Sequence, residues 1–139
     1  MVELLSRYQN GNYIVKIYSD GTKIRIGGDV LEPEFPESID LKITNRCPYN
    51  CPFCYANSTP NGRHGDILNL AFLDTIQAGT ELAIGGGSVM CHPNIIQFLE
   101  KCKRLGIIAN ITVNQPEYMQ NKYRIDEWQK TGLVKSIGI

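Results

Sequence analysis

The order of apolar and polar residues separates a short N-terminal region from the rest of the chain. Residues 12–26 (NYIVKIYSDGTKIRI) alternate apolar and polar positions on both sides of a Ser-Asp-Gly turn, which is typical of a β-hairpin. Residues 31–38 (LEPEFPES) contain two prolines and predict a linker. The pattern therefore predicts an N-terminal hairpin extension over residues 1–30, a linker over 31–38 and a β/α domain over 39–139.

Strands and helices alternate in this second region. The helix predicted over residues 92–106 has the clearest signals, because Pro93 suits its first turn and Gly106 its end. The other predicted helices are residues 66–79, with Asp66 as the N-cap, and 116–132, and the predicted strands are residues 39–44, 81–87, 107–113 and 133–139. This β-α-β-α-β-α-β order predicts an α/β fold with about four parallel strands joined by right-handed crossovers.

Three loops should meet at one edge of such a sheet. Ligands of parallel α/β folds bind at the carboxyl ends of the strands. A cysteine-rich loop follows the first predicted strand, a glycine run follows the second, and residues 114–115 follow the third. The fourth strand has no helix after it, which predicts an uncovered apolar edge and face. We therefore expect either a second chain that completes the sheet or a longer protein.

Composition narrows the classes of partner. The 139 residues suit one domain, and 14 basic residues balance 14 acidic ones, so the basic excess of a nucleic-acid-binding protein is absent. The N-terminal residues have no signal-peptide pattern, and no stretch approaches the ~18 apolar residues that span a membrane. These features predict a cytoplasmic protein without a membrane partner. Thiols stay reduced in the cytoplasm, so clustered cysteines there indicate metal or redox chemistry.

Three of the five cysteines, Cys47, Cys51 and Cys54, have the spacing C-x3-C-x2-C. Structural zinc needs four ligands, and the fourth would have to come from Cys91, Cys102, His64 or His92. An iron–sulfur cluster is held by thiolates, and three of them leave one iron open, as in catalytic metal sites. A set of core thiols fits poorly with a loop rich in proline and asparagine. Cys102 lies on an apolar helix stripe and is predicted to be core, and Cys91 is predicted to be packed.

The cysteine spacing, with Phe53 before the last cysteine, resembles the radical S-adenosylmethionine superfamily. The resemblance implies a [4Fe–4S] cluster on Cys47, Cys51 and Cys54, whose open iron binds S-adenosylmethionine. It implies reductive cleavage of that cofactor to methionine and a 5′-deoxyadenosyl radical, which abstracts hydrogen from a substrate. An electron donor such as flavodoxin or ferredoxin is then a partner. The family's barrel has about six strands, so this chain would form a partial (β/α) barrel.

The resemblance also implies the remaining cofactor contacts. The family's Gly-Gly-Glu-Pro segment falls on Gly86, Gly87, Ser88 and Val89, so a serine stands where the family has a glutamate that helps bind the methionyl ammonium group. Phe53 would pack near the adenine. Asn114 would contact the ribose or the carboxylate. Independently of the resemblance, the position of His92 predicts that it caps the following helix or stays neutral at the start of that helix.

Three functions remain open at this point. The first is a radical enzyme, or its N-terminal half, with an unidentified substrate. The second is a zinc- or cluster-binding module that is structural or carries electrons. The third is a catalytically weak remnant, which the serine at position 88 and the end of the sequence at Ile139 both favour.

Overall fold

The structure is a computed structural model that describes residues 1–49, 51–54 and 56–139. Its first layer is an antiparallel sheet in the order β1-β2-β3, with the strands Leu4–Asn10, Tyr13–Tyr18 and Lys23–Ile26. The pairing of β2 with β3 confirms the predicted hairpin. Strand β1 was not predicted. It pairs with β2 through a turn at Gly11, whose φ of 56° suits glycine.

The second layer is a parallel sheet in the order β4-β5-β6-β7, which confirms the predicted α/β class and the number of parallel strands. Its strands are Ser38–Thr44, Glu81–Gly86, Ile108–Thr112 and Ser136–Gly138. Helix α1 (Ile95–Arg104) lies between β5 and β6, and helix α2 (Gln115–Lys130) lies between β6 and β7. The fold is therefore a partial β/α barrel preceded by an antiparallel sheet.

The two faces of the parallel sheet differ because side chains alternate along each strand. One face packs against α1 and α2, and the buried core between them includes Leu82, Ile84, Ala109 and Ile111 of the sheet, Phe98 of α1 and Trp128 of α2. On the other face, Asp40, Ala83, Asn110 and Ser136 occupy one register row. Thr112 on that face is exposed. The prediction of an uncovered apolar face is therefore wrong, since the side chains on the open face are small or polar.

The segment over residues 66–79 is not the predicted helix. It contains only a short 3₁₀ helix, Ala71–Asp74, in which Leu73 is buried. The carboxylate of Asp66 does not cap a helix but accepts a hydrogen bond from the Asn69 side chain at 2.8 Å. Local bonds of this kind between Asx side chains compete with helix formation. The prediction misassigned the segment because its apolar residues follow a helical period while its polar residues favour a turn.

Helices α1 and α2 lie close to their predicted positions. Gly106 follows α1 with a φ of 75°, and Gly132 follows α2 with a φ of 81°, so both act as the helix-ending glycines that the sequence indicated. The N-cap of α1 is Asn94 rather than His92. Among the described residues, none of the helices is long and apolar enough to cross a membrane.

A charge network joins the two sheets at the amino ends of the parallel strands. Glu37 accepts bonds from Arg25 and Tyr13 and forms an ion pair with Lys23. Lys23 also contacts Glu81, which pairs with Lys135. Burial alone would raise the pKa of Glu37, but the bonds from Arg25, Tyr13 and Lys23 outweigh it and lower the pKa from 4.5 to about 2.

We expect Glu37→Gln to destabilise the fold by roughly 1–3 kcal/mol at neutral pH, because the depressed pKa stabilises the folded state above the unfolded value. That stabilisation should be fully present above pH 4.5 and disappear as the pH falls toward about 2. Urea denaturation at several pH values should therefore show wild type and variant converging in acid. Glu34→Gln, on an exposed side chain, is the matched control. A constant difference down to pH 2 would contradict the assignment.

Candidate functional site

A cavity of about 280 Å³ lies at the carboxyl ends of the parallel strands. Its walls come from the cysteine loop (residues 45–58), from the glycine run (residues 85–87), from the end of β6 and from the start of α2. The residues that line this cysteine–glycine cavity include Cys47, Cys51, Phe53, Cys54, Gly86, Gly87, Asn114 and Glu117. The three loops that the sequence analysis expected at one edge therefore lie together.

The start of the cysteine loop is held by backbone pairing with residues 59–63. The Cys47 N–H donates to Thr59 O at 2.9 Å, and the Thr59 N–H donates to Asn45 O at 3.0 Å. Gly62 permits this approach, because a Cβ there would lie 1.9 Å from Asn45 O. The first cysteine is thus attached to a fixed piece of backbone rather than to a free loop.

The three loop thiols are free, with Cys51 exposed and Cys47 and Cys54 half-buried. The backbone N–H of Ser58, 3.4 Å from the Cys54 sulfur, is the main cause of a lowered Cys54 pKa, since it stabilises a thiolate. Burial raises the pKa of Cys47, and the negative charges of Glu117, Cys51 and Cys54 add to the rise. A bound cation would reverse this repulsion among negative groups.

Within the described residues, no three Cys, His, Asp or Glu side chains converge tightly enough to hold a metal ion. The loop thiols nevertheless fit an iron–sulfur cluster by donor type and by their shared cavity. Each thiolate of such a cluster binds a different iron. Three cluster ligands therefore stay further apart than three ligands of one ion.

The glycine run is bonded directly to the start of the cysteine loop. The Gly87 N–H donates to Thr44 O at 2.7 Å, and the Ser88 N–H donates to Arg46 O at 2.8 Å. Gly86 has a φ of 113°, and a Cβ there would lie 2.5 Å from Thr44 O. Both conformation and space therefore require glycine at position 86.

Ser88 and Glu117 form a buried pair beside the cavity. Each is 2% exposed. The Ser88 hydroxyl donates to Glu117 Oε1, and the Met90 N–H donates to the same oxygen at 3.1 Å. A carboxylate from α2 therefore lies next to the serine that stands in the family's glutamate position.

Glu117 is not among the site residues predicted from the sequence, although one signal pointed to it. Asn114 and Glu117 have the N-cap and N3 spacing of a capping box. Half of that box forms, since Asn114 Oδ1 accepts from the Glu117 N–H at 2.8 Å. The other half does not, because the carboxylate reaches Ser88 and Met90 instead of the N-cap backbone. The spacing alone would have assigned Glu117 a purely helical role.

The other candidates occupy distinct positions. Phe53 is 98% exposed and lies at the cavity wall. Asn114 lines the cavity while it caps α2. Cys102 is fully buried and core, as predicted, and its pKa is raised by burial to about 11. Cys91 is exposed, so its predicted packing is wrong. It ends the 3₁₀ helix Val89–Cys91, which turns its side chain to solvent.

His92 is buried but does not cap α1. Its Nε2 lies 2.7 Å from Gly65 O, and its Nδ1 accepts the Asn94 N–H at 3.1 Å. These two contacts together require a neutral ring with the proton on Nε2. The side chain therefore ties the loop after the cysteines to the start of α1.

The fold and the donor set define an α/β domain with a three-thiol loop at the carboxyl edge of its parallel sheet. No protein-family model matches the chain, and no solved structure matches it significantly. Curated relatives are named PqqA peptide cyclase. The match is 26% identical over 81 residues in Methylorubrum populi, covering 55% of this chain and 21% of the relative.

Two further relatives carry the same name. That of Gluconobacter oxydans is 23% identical over 84 residues, covering 57% of this chain and 24% of the relative. That of Ruegeria pomeroyi is 27% identical over 95 residues, covering 61% of this chain and 25% of the relative. The chain thus spans about a fifth to a quarter of the length of the curated relatives it matches. Matches to relatives of this name support the resemblance to the radical S-adenosylmethionine superfamily.

Gly86→Ala should destabilise the domain by about 1–3 kcal/mol, because it imposes a side chain at positive φ and against Thr44 O. Gly28→Ala is the matched control, since a Cβ there meets nothing within 4 Å and its φ is not in the left-handed region. Urea denaturation of both variants measures the difference. Equal stability of the two would show that the glycine run is not held against the cysteine loop as described.

Proposed function

We propose that this chain is the cluster-binding part of a radical S-adenosylmethionine enzyme. The observation that carries the proposal is the shared cavity. Three free thiols with C-x3-C-x2-C spacing line it together with a glycine run that is hydrogen-bonded to the start of their loop. The similarity to PqqA peptide cyclases supports the same class.

In this proposal Cys47, Cys51 and Cys54 would hold a [4Fe–4S] cluster, which when bound would supply the electron for cleavage of S-adenosylmethionine to methionine and a 5′-deoxyadenosyl radical. The exposed Cys51 is accessible to assembling iron, and the Ser58 N–H favours the thiolate of Cys54. Residues 85–87 lack side chains, so their backbone lets the cofactor approach the sheet edge closely.

Two side chains would orient the organic part of the cofactor. Phe53, exposed at the cavity wall, offers an aromatic face on which an adenine can stack. Asn114 uses Oδ1 to cap α2, which fixes the carboxamide and leaves its N–H₂ group to donate toward a ribose or carboxylate oxygen. Both assignments extend the proposal beyond the cluster.

The substrate class follows only from the names of the relatives, which describe a peptide as what they cyclise. The open face of the parallel sheet supplies hydrogen-bonding side chains suited to a peptide, including Asp40, Asn110 and Thr112. We therefore propose a peptide as the first substrate class to test.

A closed four-cysteine site is the alternative that a specific observation favours. Cys91 is a free, exposed thiol, and its charge contributes to raising the pKa of Tyr49 after burial and Glu117, so it lies in the same neighbourhood as the loop. With Cys91 as a fourth ligand, the site would bind zinc or a fully ligated electron-carrying cluster. The open-iron proposal requires that Cys91 be dispensable.

Anaerobic reconstitution with iron and sulfide separates these two proposals. We expect a brown wild-type protein that binds about four irons and absorbs near ~400 nm. Cys51→Ala should lose most of the bound iron, whereas Cys91→Ser should keep it because an open site does not use that thiol. Colourless protein with one tightly bound zinc, or equal loss of iron in Cys91→Ser, would contradict the proposal.

Activity is tested on the reconstituted protein with dithionite and S-adenosylmethionine. We expect release of methionine and 5′-deoxyadenosine, because dithionite supplies the electron that the cleavage consumes. Chromatographic quantitation should show the release abolished in Cys51→Ala and Cys54→Ala and retained in Cys91→Ser. Release that is unaffected by Cys51→Ala would place the chemistry elsewhere.

A further inference from the structure

Among the residues that the structure describes, the carboxylate of Glu117 has no cationic partner, although a buried charge needs one. The side chain is 2% exposed, yet none of the ion pairs among the described residues involves it. The half-buried carboxylates of Glu37 and Glu81, by contrast, are each paired with lysine or arginine. Burying an unpaired charge is costly, so Glu117 differs from the acidic groups that stabilise the fold.

The contacts of Glu117 leave one oxygen available. Both of its bonds, from the Ser88 hydroxyl and from the Met90 N–H, end on Oε1. Oε2 accepts no hydrogen bond from any described residue. Because the side chain lines the cysteine–glycine cavity, a donor that enters the cavity can reach this oxygen.

The neighbours of Glu117 define what charge would enter. Its carboxylate lines the same cavity as Cys47, Cys51 and Cys54, and no positively charged side chain lines that cavity with it among the described residues. A cation with N–H groups suits this carboxylate, since it offsets the charge and donates to Oε2. A sulfonium offsets charge but has no hydrogen to donate.

We propose that Glu117 is the acceptor for the ammonium group of S-adenosylmethionine, with Ser88 holding the carboxylate in place. This inference rests on the proposed function and adds a residue that the cysteine spacing does not indicate. The carboxylate belongs to the first turn of α2. It bonds to Ser88, which follows the glycine run after the neighbouring strand β5.

The experiment is a two-by-two binding cycle on the cluster-loaded, unreduced protein. Wild type and Glu117→Gln are each titrated with S-adenosylmethionine and with an analogue in which hydrogen replaces the amino group. Calorimetry or equilibrium dialysis gives the four dissociation constants. Glu127→Gln, an exposed carboxylate on the same helix, controls for loss of one negative charge.

We expect Glu117→Gln to weaken binding of S-adenosylmethionine by about 10- to 100-fold, the range for a hydrogen bond between charged groups. The amino-free analogue should bind wild type and Glu117→Gln within about twofold of each other, and Glu127→Gln should bind both ligands like wild type. A purely structural role for Glu117 would instead weaken both ligands equally. Equal weakening, or no weakening, would overturn the assignment.

The ligand arm can still refute the assignment if Glu117→Gln does not fold, because it needs only the wild-type protein. Wild type must then prefer S-adenosylmethionine over the amino-free analogue by at least about tenfold. A smaller preference overturns the role of Glu117 but leaves the proposed function intact. No binding of S-adenosylmethionine by cluster-loaded wild type overturns the proposed function, and the assignment with it.

Discussion

The backbone contact between the ends of β4 and β5 is the constraint on which the candidate site depends. The ladder between these strands shifts its register between Lys42 and Thr44, and it continues past the strands through Gly87 to Thr44 and Ser88 to Arg46. This places the cysteine loop and the glycine run at hydrogen-bonding distance. The constraint leaves no room for a side chain at Gly86. One packing requirement thus fixes both the conformation of the glycine run and the direction in which the cysteine loop leaves the sheet.

The acidic side chains at the two ends of the parallel strands have different kinds of partner. At the amino ends, Glu37 and Glu81 are surrounded by lysine, arginine and tyrosine, and the network ties the antiparallel sheet to the parallel one. At the carboxyl ends, the donors to Glu117 among the described residues are neutral: the Ser88 hydroxyl and the Met90 N–H. The paired carboxylates at the amino ends stabilise the fold. A carboxylate with an unbonded oxygen, at the carboxyl ends, is suited to binding a ligand. This difference agrees with the rule that the carboxyl edge of a β/α sheet carries function.

The sequence predicted the parts of the fold that have strong local signals. Helices α1 and α2 end at Gly106 and Gly132 because positive φ is needed there, and glycine marks such positions in any sequence. Strand β1 was missed, since its side chains lack a clear alternation and its pairing with β2 is a tertiary event. Residues 66–79 were misassigned because the spacing of their apolar residues predicts a helix, whereas their polar residues favour a turn. In the structure, the hydrogen bond between the Asp66 and Asn69 side chains forms in place of the helix.

The site shows the same division between local and non-local information. The spacing of Cys47, Cys51 and Cys54 is a local signal, and the glycine run follows a strand that could be identified from its residues. Glu117 is separated from Ser88 by 29 residues, and its spacing to Asn114 indicates a capping box. Only the fold shows that the Glu117 carboxylate accepts a bond from the Ser88 hydroxyl and does not bond to the backbone of the N-cap. A serine in place of an acidic residue therefore need not mean a weakened site, because a parallel β/α sheet gathers side chains from successive loops at one edge. A different segment, here the first turn of α2, can supply the acidic group, and the edge of the sheet then keeps its negative charge.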